Sequence, residues 1–266
     1  MFKPNPDSMR MEPTPERVLS VCRMVAQQSM ATEELRRALT LGMEGDKAID
    51  QVKKSIDVAK DELKLISAKD DKLVFSGNEA DISSAVQFRR YVTPLVLSRK
   101  DSTFVMFTRW VIQQNERLFT LKNWEVMAKT CGSEVDELSH LGENAALGWR
   151  FWAAFLGLGY LSGTMFIPNM AIRLRDLFST AFPKAHKYNE TIRAEDFAIW
   201  LATQLPDADL SEKWPLAVSA GLRTLHELGL IKLATWQDSN KIRLYYVDGD
   251  PINEFSHITV SEEVNL

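Results

Sequence analysis

Cysteine is scarce in this chain of 266 residues, which contains only Cys22 and Cys131. The two lie far apart and form no CxxC motif, so the sequence excludes a disulfide framework and a zinc ribbon. Long apolar runs are also missing, since the longest, residues 151–161, is about half of the roughly 20 residues that a membrane-spanning helix needs. The first twelve residues lack the apolar core of a secretory signal. We therefore expect a cytoplasmic protein without a membrane partner.

Motifs of phosphate-binding, metal-binding and hydrolytic enzymes are missing as well. The glycine-containing stretches at 42–48 and 157–163 have neither the length nor the strand-to-helix order of nucleotide-binding loops. The four histidines have no HxH or HExxH spacing, and no GxSxG motif is present. The sequence therefore predicts a protein without enzymatic activity, cofactor or metal.

Helical periodicity dominates the first third of the chain. Apolar residues recur at spacings of three and four in three successive segments between Thr14 and Leu63, and Gly42 follows the second segment. Two short strand patterns, LKLIS and KLVFS, then flank a polar turn. Three helices followed by a hairpin is the order of elements in a winged helix, a helix-turn-helix with an appended β-wing.

The same order of elements recurs twice further along the chain. Helical patterns occupy 103–114, 123–131, 144–158, 169–182, 193–205 and 215–229, and the last of them is followed by the strand patterns IKLATW and KIRLYYV, which predict one hairpin. We therefore predict a mostly α fold with small β-hairpins, built from tandem winged-helix units. The predicted boundaries are a flexible N-terminal tail at 1–13, a winged-helix unit at 14–80, a helical or winged-helix-like middle unit at 81–168 and a C-terminal winged-helix unit at 169–266.

The segment LHELGLIKL, with the basic strand pattern after it, resembles the junction between recognition helix and wing in many bacterial winged-helix proteins. The tandem arrangement is similar to two groups of proteins. One comprises accessory winged-helix proteins encoded with phage-defence and DNA-modification systems, and this resemblance implies a DNA-associated component of antiviral defence. The other comprises winged-helix subunits that bind the kleisin of bacterial SMC complexes, and it implies a protein-binding scaffold with little DNA affinity of its own.

Charge is distributed unevenly, although the formal net charge is only −4. Residues 191–266 hold six Lys and Arg against twelve Asp and Glu, whereas residues 147–190 hold five against two. No predicted unit is strongly basic, as an autonomous DNA-binding domain usually is. DNA binding would therefore depend on one basic face of a unit whose other side is acidic.

Two basic faces are candidates for contact with duplex DNA. In the first and last units, the third helix carries polar and basic residues on one side, and the adjoining hairpin extends that side. A solvated surface is the alternative in both cases. The predicted DNA-contacting residues are Lys47, Gln51, Lys53, Lys54, Lys69 and Lys72 in the first unit, and Ser219, Arg223, His226, Lys232, Lys241 and Arg243 in the last.

The third helix of the middle unit has no polar face. Trp149, Trp152 and Phe155 lie around its circumference, and Arg150 is the one charged residue between positions 144 and 158. Such a helix is buried on all sides. Its aromatic residues form either an intramolecular core or an interface with another subunit, where Trp and Phe are enriched, and a homo-oligomer is one possibility.

Together these features predict a non-enzymatic, DNA-associated winged-helix component of a bacterial multi-protein system. The resemblance implies phage defence or DNA modification as its setting. Its expected partners are double-stranded DNA and other protein subunits, and its expected location is the cytoplasm, at the nucleoid. The alternative is a protein-binding scaffold subunit of an SMC-type complex.

Overall fold

The computed structural model describes residues 1–4, 9–42, 45–211 and 213–265, except for the side chains of Asp46 and Lys47. The fold is mostly helical with small antiparallel sheets, as the periodicity predicts. The chain forms two compact units, one of Met1–Phe107 with Leu121–Phe155 and the other of Thr108–Thr120 with Leu156–Leu266. This grouping divides the predicted middle unit, because the residues from Leu121 to Phe155 belong to the first compact unit and the hairpin that follows belongs to the second.

The first unit begins with three helices and a hairpin, in the order that the sequence predicts. Its elements are α1 (Pro15–Gln27), α2 (Thr32–Leu39), α3 (Asp46–Asp57), a π-helical turn at Val58–Glu62, β1 (Ile66–Lys69) and β2 (Lys72–Phe75). β1 and β2 are antiparallel. Between α1 and α2, Met30 forms an antiparallel bridge with Leu73 of β2, so three stretches of extended chain lie side by side.

Four further helices follow, namely α4 (Ala85–Leu97), α5 (Thr103–Gln114), α6 (Trp124–Glu134) and α7 (Glu143–Phe155). The boundary between the two units falls inside α5. The sequence patterns do not predict α4, which contains Pro94, a residue that normally interrupts a helix. They do predict α5 and α7, although α6 continues beyond Gly132, where the pattern indicated its end.

The core of the first unit is an aromatic cluster around α7. Trp149 is 1% exposed and packs edge to face on Phe107, with ring centroids 5.2 Å apart. Trp152 is fully buried and packs edge to face on Phe2 at 4.9 Å. Its indole N–H donates a 2.6 Å hydrogen bond to the carbonyl oxygen of Pro13. These side chains therefore form an intramolecular core.

The N-terminal segment contributes to this core. Met1, Phe2 and Met9 are each 2% exposed or less. The Met1 amino group donates a 2.9 Å hydrogen bond to Oε1 of Glu62, which is itself buried. The sequence predicts a flexible tail at 1–13, but these three residues are packed into the core. The reason is that a few apolar side chains anchor an otherwise polar segment. Residues 5–8 of that tail lie outside the described residues.

The second unit combines two small hairpins with three helices and a three-stranded sheet. Its elements after α5 are β3 (Gly159–Ser162), β4 (Met165–Pro168), α8 (Ala171–Thr180), β5 (Thr191–Arg193), α9 (Ala194–Gln204), α10 (Leu216–Glu227), β6 (Ile231–Ala234), β7 (Ile242–Arg243), β8 (Glu254–Phe255) and β9 (His257–Val260). β3 pairs with β4, and β7 pairs with β8. The three-stranded sheet is antiparallel and has the order β5–β9–β6.

The prediction that IKLATW and KIRLYYV pair as a C-terminal hairpin is wrong. β6 pairs with β9, while Ile242–Arg243 pairs with Glu254–Phe255 inside the long connection between β6 and β9. The reason is burial: Ile231 and Leu233 of β6 lie opposite Val260 and Ile258 of β9, and all four side chains are 7% exposed or less. Alternation of apolar residues identifies the strands, but it does not identify their partners.

Replacing Trp152 with Ala should lower the free energy of unfolding by about 3–5 kcal/mol, because the change leaves a large cavity in the aromatic cluster. It also leaves the Pro13 carbonyl without its indole donor. Denaturant unfolding of the purified variant measures the loss. Val86→Ala, at a position that is 41% exposed, serves as the surface control and should change stability by less than about 0.5 kcal/mol. Equal stability of Trp152→Ala and the unsubstituted protein would contradict this account of the core.

Candidate nucleic-acid interface

α3 is the most open of the three helices that precede predicted hairpins. Lys53 is exposed on it, and Gln51 is half-buried. Gln51 lines a groove of about 290 Å³ together with residues of α1, among them Arg17 and Ser20. The side chain of Lys47 lies outside the described part of the chain. α3 thus offers at least one exposed cation beside a groove of mixed polar and apolar lining.

Lys54, on the same helix, is neutralised within the protein. Its Nζ lies 2.9 Å from Oε1 of Glu12 and also pairs with Asp50. Partial burial opposes the charge of Lys54, but the hydrogen bonds to Asp50 and Glu12 prevail and raise its pKa. The same contact with Lys54 lowers the pKa of Glu12 against the effect of burial. Lys54 therefore holds the N-terminal segment through its ion pair with Glu12 and is not available as a phosphate ligand.

The hairpin of the first unit presents two cations side by side. Lys69 and Lys72 are directly opposite each other at the end of the β1–β2 ladder, and both are exposed. The turn between them consists of Asp70 and Asp71, both with positive φ angles, 49° and 60°. Like charges placed opposite each other repel, but the exposed carboxylates of Asp70 and Asp71 lie in the adjoining turn, so these four residues carry no net charge together.

Ser219 and Arg223 of α10 do not lie on an exposed face, contrary to the prediction. Ser219 is fully buried; its hydroxyl donates to the carbonyl of Trp214 and accepts from the Tyr245 backbone N–H. Arg223 is 5% exposed and donates to the carbonyl oxygens of Tyr245 and Ile252.

A salt bridge of 2.9 Å joins the Arg223 guanidinium to Asp250. Together, Ser219 and Arg223 hold the connection between β6 and β9 against α10. The error arose because spacing places residues on one face of a helix without showing what covers that face.

The other predicted residues of the last unit occupy varied environments. His226 is half-buried, and its Nδ1 accepts a 3.2 Å hydrogen bond from the Leu233 backbone N–H. Lys241 is exposed but lies 2.5 Å from Oε1 of Glu254. Arg243 is exposed and opposite Glu254 in the β7–β8 ladder, and Lys232 is exposed on β6. Of these residues, Lys232 and Arg243 have the best access to an external anion.

The third helices of the predicted units also differ in how much of their surface is buried. Seven of the twelve residues of α10 are buried, from Ala217 to Leu225. In α7, the predicted interface residues Trp149 and Trp152 are buried within the first unit, and Phe155 packs on Phe88 and Trp152. Trp149 and Trp152 are thus core residues, and Phe155 lies half-buried at the edge of the same cluster. Neither α7 nor α10 has a continuous polar face to place in a DNA groove.

Three residues that the sequence analysis missed stand together on the second unit, namely Arg193, Trp236 and His257. Trp236 is 54% exposed although it is the largest type of side chain, and its ring stacks on His257. Arg193 directly faces His257 across β5 and β9. Little in the sequence indicates this group, because the strand that places Arg193 is only three residues long and runs directly into α9.

Both cysteines are buried, and their thiols are poorly reactive. Burial raises the pKa of the Cys22 thiol to about 12, and burial, together with the nearby Glu134, raises the pKa of the Cys131 thiol to about 12. Within the described residues, no group of three or more His, Cys, Asp and Glu is arranged to hold a metal ion. The helices of the described chain are all too short or too polar to cross a lipid bilayer.

Comparison with known proteins gave no relative: no family model, no curated protein and no solved structure matches this chain.

Replacing Arg223 with Ala should destabilise the second unit by about 3 kcal/mol, because it leaves the Asp250 carboxylate and two carbonyl oxygens without their buried donor. Chemical unfolding measures the loss. Arg243→Ala removes an exposed cation from the same connection and should change stability by less than about 0.5 kcal/mol. If Arg223→Ala left stability unchanged but reduced DNA affinity, Arg223 would be a DNA-contacting residue after all.

Cys22 and Cys131 should resist a thiol-specific disulfide reagent at about pH 8 in the folded protein and react fully once it is unfolded, because thiolates are the reactive species. The folded chain keeps both protons to about pH 12, whereas the unfolded chain loses them near the ordinary value of 9.0. Their contribution to stability is therefore complete below pH 9 and decreases as the pH rises from there towards 12. Rapid labelling of either thiol in the native protein would contradict their burial.

Proposed function

We propose that this protein is a non-enzymatic tandem winged-helix component of a multi-protein bacterial system, and that it contacts duplex DNA through its first unit. The contact surface consists of α3 and the β1–β2 hairpin, here called the helix–hairpin surface. It contains Lys53, Lys69 and Lys72. A defence or DNA-modification system is the setting that the sequence resemblance favours.

The order and pairing of the elements support a winged-helix interpretation of both ends of the chain. In a winged helix, the stretch between the first two helices pairs with the last strand, which also pairs with the strand after the third helix. β5, β9 and β6 have this arrangement around α9 and α10. In the first unit, the bridge between Met30 and Leu73 occupies the corresponding place beside β1 and β2.

The observation that carries the DNA proposal is the exposure of the three cations of the helix–hairpin surface. In the part of the chain that the structure describes, Lys53, Lys69 and Lys72 have no carboxylate within ion-pair distance, whereas Lys54 and Lys241 do. Unpaired cations on a wing and on the helix before it are suited to phosphate contacts on either side of a groove.

A scaffold that binds other proteins is the second candidate, and the burial of α7 and α10 favours it. Two of the three helices that would read DNA in a tandem winged-helix protein are occupied by intramolecular packing. A winged helix whose third helix is covered still offers its outer surfaces to a partner chain. In that case the protein would show no salt-dependent duplex affinity of its own.

The double variant Lys69→Glu/Lys72→Glu should weaken binding to a labelled duplex and reduce the slope of log affinity against log salt by about 0.9 for each phosphate that is no longer bound. Lys53→Glu should act in the same direction with half the effect. Fluorescence anisotropy titrations of the full chain at several salt concentrations measure both quantities.

The control is Lys122→Glu/Lys129→Glu, which reverses the charge of two other exposed lysines of the first unit, of which Lys129 pairs with Glu125. Its affinity should fall less than that of the hairpin variant. Equal losses in the two double variants would indicate a general charge effect and would remove the helix–hairpin surface from the DNA contact. No duplex binding at low salt would support the scaffold instead.

A further inference from the structure

The outward face of the β5–β9–β6 sheet is a second surface with unusual chemistry. The strand register places Thr191, Thr259 and Lys232 in one row across the sheet, and Arg193, His257 and Ala234 in the next. Of the alternate residues, Ile258 and Leu233 are buried in the core, and Ile192 is half-buried. Both rows are therefore turned away from the core, and His257 is only 6% exposed because the ring of Trp236 stacks on it. The backbones of Arg193 and Lys232 lie at opposite corners, about 12 Å apart across two interstrand spacings and two residues along the strands.

Charge is segregated at this face. The three strands contain no Asp or Glu, although residues 191–266 as a whole hold twice as many acidic as basic residues. Arg193 and Lys232 are exposed, and among the described residues neither has a carboxylate within ion-pair distance. By contrast, Arg223 and Lys241 in the same region are ion-paired. The sheet face is thus a small positive surface within an acidic surrounding.

Trp236 adds an aromatic platform to this positive surface. Its ring stacks on that of His257, with centroids 3.5 Å apart and an angle of 27° between the planes. Its backbone N–H donates a 2.8 Å hydrogen bond to Oγ of Ser256, which fixes the start of the connection beside the strand. Because the ring is 54% exposed, its other side faces solvent. The platform is held in place before any ligand arrives.

We propose that this sheet face binds single-stranded nucleic acid. An unpaired base stacks on the exposed side of Trp236, so that the ring lies between the base and His257, and Arg193 and Lys232 contact backbone phosphates on either side. The hydroxyls of Thr191 and Thr259 lie in the same row as Lys232 and are 2.8 Å apart, so one hydroxyl donates to the other and the second remains as a further donor. An aromatic platform flanked by cations is the combination that binds unpaired strands without sequence preference.

The chemistry favours a single strand over the other anionic partners. A duplex keeps its bases stacked on each other and gives Trp236 nothing to stack on, whereas its phosphates need only cations. An acidic protein segment would satisfy Arg193 and Lys232 but would leave the exposed ring of Trp236 without a flat partner. This surface has no residue in common with the helix–hairpin surface, so each proposal can be tested without the other.

The test is fluorescence anisotropy of the full chain with a labelled oligothymidylate, beside a duplex of equal length and a labelled polyglutamate peptide. Trp236→Ala should weaken single-strand binding about tenfold, and Trp236→Phe, which keeps an aromatic ring, should restore most of the affinity. Arg193→Glu/Lys232→Glu should weaken it and reduce the log–log salt slope by about 0.7 for each phosphate that is no longer bound. Lys184→Glu, an exposed cation elsewhere in the second unit, should have little effect.

Four outcomes would overturn the proposal. The first is no single-strand binding at low salt. The second is equal binding by the unsubstituted protein and Trp236→Ala when both have the same melting temperature. The third is tighter binding of polyglutamate than of oligothymidylate with dependence on Arg193 and Lys232, which would indicate an acidic protein partner. Loss of single-strand binding in Trp236→Ala and Trp236→Phe alike, with both variants folded, would equally exclude a stacking role. The Lys69→Glu/Lys72→Glu variant, tested on the same oligonucleotide, should bind it normally, which separates this site from the duplex site.

Discussion

A helix that buries most of its circumference cannot also lie in a groove of DNA, and this constraint governs α7 and α10. In α7 a Cβ at Gly148 would lie 2.6 Å from the backbone of Arg10, and in α10 a Cβ at Gly221 would lie 2.8 Å from that of Ala171. Both helices therefore approach neighbouring backbone closely on the glycine side and carry large apolar side chains on the others. The surfaces that remain for an external partner include the hairpins, the outward face of the β5–β9–β6 sheet and α3.

Close packing also places several cations beside carboxylates that neutralise their charge. Arg223 secures the β6–β9 connection through Asp250, and Lys54 fastens the N-terminal segment through Glu12. In a chain with a formal net charge of −4, each cation used in this way is one fewer for an anionic ligand. Counts of charge along the sequence thus overestimate the basic surface. The cations that stay exposed include Lys69 and Lys72 on the β1–β2 hairpin and Arg193 and Lys232 on the β5–β9–β6 sheet.

Periodicity predicted most helices well, because an apolar stripe at a spacing of three and four residues has few other interpretations. It did not predict α4, where Pro94 interrupts the local signal, or the partner of β6, since several segments with alternating apolar residues follow it. The candidate sites were harder still. Lys69 and Lys72 are exposed as the pattern indicated, but Arg223 is not, and the stack of Trp236 on His257 joins residues from two separate segments. Contacts between distant segments decide which polar residues remain at the surface, and spacing within one helix contains no information about them.

The central strand of the β5–β9–β6 sheet is the last of its three strands to be synthesised. Thr191 and Thr259 are paired although 68 positions separate them, and β6 likewise pairs only with β9 in this sheet. Until that strand leaves the ribosome, β5 and β6 have no neighbour, and the apolar side chains Ile231 and Leu233 lack the strand that covers them. During translation the second unit therefore passes through a stage with two open strand edges, at which pairing with another nascent chain competes with correct folding.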